Sequence, residues 1–202
     1  MTAEQVARFG SVVAGGGVAL FPSDTVYGLA TAPDSQAGAR RLYGLKDRPP
    51  DRPSAVMFFA LEAALAALTE LGPRTAAALR ALLPGPVTVV LANPALRYPP
   101  ACGPRPDRLG LRVPRLAGAL EPLAALERPV LQSSANRTGG PDARRLGDVD
   151  ELVRAGVDLE LDGGELPGTP STVLDLAGYE QDGSFEILRE GAMPAERLAG
   201  ML

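Results

Sequence analysis

Short apolar runs, most of them ended by glycine, proline or a polar turn, alternate along this chain with longer stretches rich in alanine and leucine. Val18 to Phe21, Ala55 to Phe59, Val87 to Leu91, Leu109 to Val113 and Pro129 to Leu131 have the length of strands and are too short for helices. Thr2 to Ala14, Ser35 to Leu45, Leu61 to Leu71, Arg74 to Leu83, Ala117 to Leu126 and Leu146 to Arg154 carry apolar residues at helical spacing. Thr2 and Gln5 have the spacing of a capping box at the first helix. Near the end, strands are predicted at Leu159 to Leu161, Ser171 to Leu176 and Phe185 to Arg189, and a closing helix over Pro194 to Met201. This pattern predicts an α/β fold. With 46% apolar residues and neither repeat nor composition break, one domain over 1–202 is expected.

The chain carries 20 basic and 24 acidic residues, a net charge of −4, so any site for a polyanion has to be local. It has no histidine, which removes Ser-His-Asp and Cys-His catalysis, His-ligated zinc and imidazole bases. Its single cysteine, Cys102, excludes an internal disulfide and fits a cytoplasmic location. Met1 to Gly10 holds Glu4 and Arg8 and no long apolar run, so neither a secretory signal nor a membrane span is expected. Gly15-Gly16-Gly17 follows a helix instead of a strand, so it is not a phosphate loop.

Five polar stretches interrupt this framework. Leu42 to Pro53 places Lys46, Arg48 and Arg52 at a helix exit, with Pro49, Pro50 and Pro53 stiffening the chain. The cations project either as a solvated loop or as a site for phosphate or carboxylate. Pro22 to Leu29 sets Ser23, Asp24 and Thr25 at a strand end, as binding groups or as a capped turn. Arg112 lies in an otherwise apolar strand and must point to solvent, an internal carboxylate or a ligand carboxylate. Gln132 to Gly140 reads as a small polar loop closed by glycine, offering hydroxyls and free backbone N–H groups. Ser171 and Thr172 form a hydroxyl pair at a strand start. The proline-rich segment Asn93 to Pro106 is either a lid or a plain connection.

The order of motifs is particular: Pro-Ser-Asp-Thr-Val-Tyr-Gly-Leu, Lys-x-Arg-Pro-x-x-Arg-Pro, Pro-Gly-Pro-x-Thr, Gly-x-Arg-x-Pro, Ser-Ala-Asn-x-x-Gly and Pro-Ser-Thr-Val-x-Asp. Together they resemble the YrdC/Sua5 family of threonylcarbamoyl-AMP synthases from about Gly17 to Met193. The resemblance implies an open, twisted, mixed or mostly parallel sheet flanked by helices, with a large concave surface. It implies the substrates L-threonine, bicarbonate and ATP, with Mg²⁺ carried on the ATP phosphates and no metal ligand from the protein. The product would serve tRNA t6A modification at adenosine 37, with tRNA and the t6A transferase complex as further partners and no membrane. By resemblance, Lys46, Arg48, Arg52, Ser134, Asn136 and Arg189 would bind ATP, with Lys46 and Arg48 also aiding catalysis. Thr25, Arg112, Ser171, Ser23 and Tyr27 would bind threonine, Arg112 as the clamp for its carboxylate. Ser23 stands in place of the usual threonine, and Met57, Arg108 and Leu116 also depart from family variants. Alternative readings are an RNA-binding module or a carbamoyl-transfer domain.

Overall fold

The computed structural model describes residues 1–49 and 51–202. Helix α1 (Ala3–Ala14) opens on the Thr2–Gln5 capping box, in which each side chain serves the other residue's backbone. Strands β1 (Ala19–Pro22) and β2 (Tyr27–Thr31) follow, then α2 (Gln36–Leu45), capped by the Ser35 hydroxyl on Gly38 N–H. Next come β3 (Ala55–Met57), α3 (Leu61–Ala67), α4 (Pro73–Leu82), β4 (Val87–Ala92), α5 (Pro99–Cys102) and β5 (Arg108–Arg112). A 3-10 segment, Gly118–Ala125, precedes β6 (Val130–Ser134), α6 (Glu151–Ala155) and β7 (Leu159–Glu160). The chain continues through β8 (Thr172–Asp175), α7 (Tyr179–Asp182), β9 (Glu186–Arg189) and α8 (Ala195–Ala199).

Among the described residues nine strands join one sheet in the order β7-β1-β2-β6-β3-β5-β4-β8-β9. Three neighbouring pairs are parallel (β1 with β7, β3 with β5, β4 with β8) and the other five are antiparallel, so the sheet is mixed. Successive side chains alternate between its faces. On one face Val18, Leu20, Tyr27, Leu29, Val56, Val87, Val89, Leu91 and Leu111 build the larger core with residues of α2, α4 and α6. On the other, Ala19, Phe21, Ala30, Met57 and Val130 pack with Val6, Phe9 and Val13 of α1 and with Leu120 and Leu123. This second cover stops short. Past it, β3, β4, β5, β6 and β8 turn Ala55, Thr88, Val90, Gly110, Arg112, Gln132 and Val173 into an open cavity.

Strand β2 was not expected from the sequence. The segment after Pro22 reads as a turn because its first residues, Ser23 to Val26, are one, and Tyr-Gly-Leu-Ala-Thr has little β-branched content. Pairing on both sides, Phe21 with Gly28 and Gly28 with Ser134, makes it a central strand. For the same reason Gln132, Ser133 and Ser134, expected in a loop, lie in β6. The segment Asn93 to Pro106 is a laced connection and not a free flap. Buried Asn93 donates to the carbonyls of Arg97 (3.0 Å) and Pro106 (2.8 Å), and Ser54 N–H donates to Ala101 O (2.8 Å).

Candidate active site

The cavity over the uncovered half of the sheet has a volume of about 410 Å³. Among the described residues, its wall holds five guanidiniums, Arg48, Arg105, Arg108, Arg112 and Arg189, against a single carboxylate, Asp175. That carboxylate is already engaged: Arg108 Nη1 meets its two oxygens at 2.9 and 3.0 Å. Arg108 and Arg112 sit at opposite ends of β5, about 13 Å apart along the strand. The cavity is thus long, cationic and suited to an extended anion.

Arg112 is buried, with 3% of its surface exposed. Its Nη2 donates to Asp24 Oδ1 at 2.5 Å and Thr25 Oγ1 at 2.7 Å, while Arg115 N–H reaches the other Asp24 oxygen at 2.9 Å. Burying a lone guanidinium costs several kcal/mol, and Asp24 offsets this. Asp24, which the sequence offers only as a binding group or part of a capped turn, therefore acts through Arg112. The signal available was the unpaired arginine in an apolar strand, which called for an internal carboxylate as one of its possible partners. Arg112 Nε remains without a hydrogen bond and is one of three such buried atoms among the described residues, with Ser54 Oγ and Gln132 Oε1. All three belong to residues of the cavity wall. The Ser54 hydroxyl lies beside the Tyr43 phenol, which donates its own proton to Pro100 O at 3.1 Å.

Three of the residues expected around threonine are turned to other work. The Ser23 hydroxyl donates to Val26 O (2.7 Å) and lies 3.2 Å from Thr25 Oγ1, so both hold the β1–β2 turn. Tyr27 is wholly buried outside the cavity wall. Its hydroxyl lies 2.8 Å from Asp162 Oδ1 and 2.9 Å from Gly164 O as acceptors, and accepts from Gly163 N–H at 3.0 Å. Burial pushes its pKa up to about 12. Ser171 does line the cavity, its Oγ 2.8 Å from that of Thr88. Thr88, in the Pro-Gly-Pro-x-Thr motif, is a wall residue the sequence left unassigned.

The basic cluster is divided in the same way. Lys46 does not project: it is 2% exposed, and its Nζ donates to the Ser134 and Asn136 carbonyls and to Asn136 Oδ1. Desolvation, aided by the charge of Arg48 and opposed by that of Asp142, lowers its pKa to about 7. Asn136 is occupied too, accepting from Ser134 Oγ at 2.5 Å and donating to Gly140 O at 2.7 Å. Lys46 and Asn136 therefore fix the 134–140 loop, leaving Ser134 at the wall. Arg48 lines the cavity, anchored on Pro53 O at 2.6 Å, and its pKa is lowered by burial and by the neighbouring charges of Arg52 and Arg189. Arg52 is exposed beside it. Arg189, across the cavity, donates to Ser171 O at 2.7 Å, and its pKa is lowered by desolvation, with Asp142 opposing and Arg112 adding. Pro50, one of the three expected stiffening prolines, lies outside the described residues.

A family model named for Sua5, YciO and YrdC and described as "Telomere recombination" matches residues 11–191. The chain belongs to this family. Threonylcarbamoyl-AMP synthase of Hahella chejuensis is 30% identical over 179 residues, 88% of this chain and 96% of that one. The human protein of the same name is 30% identical over 183 residues, 87% of this chain and 63% of the human one. The Pyrococcus abyssi protein of that name is 29% identical over 184 residues, 91% of this chain. This chain spans about half of that relative's length, 53%. A solved structure of a P. abyssi Sua5 variant superposes with a TM-score of 0.86 at 27% identity, over 99% of this chain and 60% of that one. YciO of Escherichia coli superposes at 0.80 with 22% identity, over 98% of this chain and 94% of that one, and shares the fold. The Sua5/YciO/YrdC fold is thus the mixed, open sheet described above.

Among the described residues no group of three His, Cys, Asp or Glu side chains gathers as a metal site, and no helix is long and apolar enough to cross a membrane.

Proposed function

We propose that this chain is an L-threonylcarbamoyladenylate synthase, a nucleotidyltransferase that joins L-threonine, bicarbonate and Mg-ATP and releases pyrophosphate. One observation carries the reading: a long cavity walled, among the described residues, by five guanidiniums and one engaged carboxylate, with Ser171 and Thr88 hydroxyls beside Arg112 at one end. Curated relatives named threonylcarbamoyl-AMP synthase support it.

In this reading Arg48, Arg52 and Arg189 hold the triphosphate, and Ser134, on the loop braced by Lys46 and Asn136, completes the nucleotide site. Arg112, oriented by Asp24 and Thr25, clamps the threonine carboxylate, with Thr88 and Ser171 next to it. Ser23 and Tyr27 shape the site from behind. The threonine amine adds to the carbonate carbon; a C–O bond breaks and water departs with the amine's proton. The carbamate oxygen then forms a bond to the α-phosphorus as the bond to the β-phosphate breaks, its electron pair leaving with pyrophosphate. No protein nucleophile is needed. Fixed cations facing the departing charge do the work, by orientation and electrostatics. The adenylate would pass to a cytoplasmic transferase complex that modifies tRNA at adenosine 37.

The test is pyrophosphate release with and without threonine. Wild-type protein should release it only with threonine and bicarbonate present, and Arg48→Ala should lose about a hundredfold in kcat/KM, as for loss of one transition-state donor. Release independent of threonine would overturn the reading.

A further inference from the structure

The wall carries a neutral polar element that none of the roles above uses. One row of side chains crosses the sheet beneath the cavity: Ala30, Gln132, Ala55, Gly110 and Val90, each paired with the next across neighbouring strands. Among these five Gln132 is the polar one; the row continues from Val90 to Asp175, whose carboxylate Arg108 engages. Gln132 is nine-tenths buried, with 9% exposed, yet its amide makes no hydrogen bond to the described protein, and its oxygen is fully enclosed. A carbon added to Gly28 would stand 3.9 Å from the amide nitrogen, so small residues leave the group room. A Cβ on Gly110 would meet Ser54 O at 3.1 Å, so the floor has no space for a larger side chain. Ser54, with the second unpartnered buried oxygen, lies next to Ala55 of the same row. Gln132 Nε2 also lacks a partner among the described residues and, unlike the oxygen, is not enclosed, so a ligand that accepts from it can return free energy that the unpaired amide costs.

Position decides which ligand. Gly110 is the midpoint of β5 between Arg108 and Arg112, so this row crosses the middle of the cavity. In the proposed reaction the carbonate carbon becomes bonded to the threonine nitrogen on one side and, through oxygen, to the α-phosphorus on the other. Its site therefore has to lie between the amino-acid end and the phosphate end. We propose that the Gln132 amide, with the Ser54 hydroxyl, binds bicarbonate and then the carbamate formed from it, as donors to their oxygens. A neutral amide suits this place: it can hold the small anion and still release it to the phosphorus, whereas another guanidinium would compete for the triphosphate.

This inference rests on the proposed synthase reaction, and the experiment separates the two. Initial rates of pyrophosphate release are measured in carbonate-depleted buffer with bicarbonate, threonine and ATP varied in turn. Gln132→Glu keeps the size and sets a charge against the anion, so KM for bicarbonate should rise about tenfold or more while KM for threonine and ATP stays within about twofold. Ser54→Ala, which removes one hydroxyl from a buried site, should raise the bicarbonate KM about threefold with unchanged thermal unfolding. An unchanged bicarbonate KM in both variants, or a rise in the threonine KM alone, overturns the assignment and leaves the synthase reading standing. Absence of threonine-dependent release by wild-type protein overturns both.

Discussion

Asp24 and Arg112 form an ion pair of 2.5 Å in which only 7% and 4% of the two side chains are exposed, although Asp24 lies in the β1–β2 turn and β6 and β3 stand between β2 and the β5 of Arg112. The β1–β2 turn has to fold over the sheet face to make it. The pair fixes Arg112, a residue of the cavity wall, and thus orients a cation at one end of the site.

Removing one partner leaves the other buried and uncompensated. Asp24→Ala should lower the unfolding free energy by roughly 3–5 kcal/mol, whereas Asp24→Ala combined with Arg112→Met should recover part of that loss. Urea unfolding followed by circular dichroism decides it; a single variant within about 0.5 kcal/mol of wild type would show that the pair does not brace the fold.

Tyr27 lies inside the larger core with its hydroxyl on the 162–164 turn, so its contribution is structural. Tyr27→Phe deletes those hydrogen bonds and keeps the ring. It should cost roughly 1–3 kcal/mol in stability. Kinetic constants for threonine should stay within about twofold, and a large rise in the threonine KM would instead place the hydroxyl at the substrate.

Lys46 titrates in the folded protein at about 7, below its ordinary 10.5, because it is buried. Between those values the unfolded chain binds more protons at this position, so its contribution to stability grows as pH rises from about 7 to 10 and is lost as pH falls back through 7. Other groups titrate in the same range, so the comparison is with Lys46→Met. The difference in unfolding free energy, wild type minus variant, should climb over that window. A flat difference would mean that the ammonium keeps its charge throughout, held by the Ser134 and Asn136 carbonyls.

Local signals along the chain were enough for most of the framework. The capping box of Thr2 and Gln5, the apolar runs that became β1, β3, β4, β5 and the start of β6, and the proline and glycine stops act over a few residues, and they appear where the sequence puts them. The six ordered motifs also carried the family. Whether Lys46 and Tyr27 face a substrate or the protein interior was not legible, because the acceptors that claim them, at 134, 136, 162 and 164, are brought to them by strand pairing. The same holds for β2, which owes its place to partners on both sides more than to its own propensity. The sequence by itself determined most of the elements, β2 apart, and the inventory of charge. Only the tertiary structure decided which charges neutralise one another and which stay free at the cavity, because that depends on contacts between residues far apart in the chain.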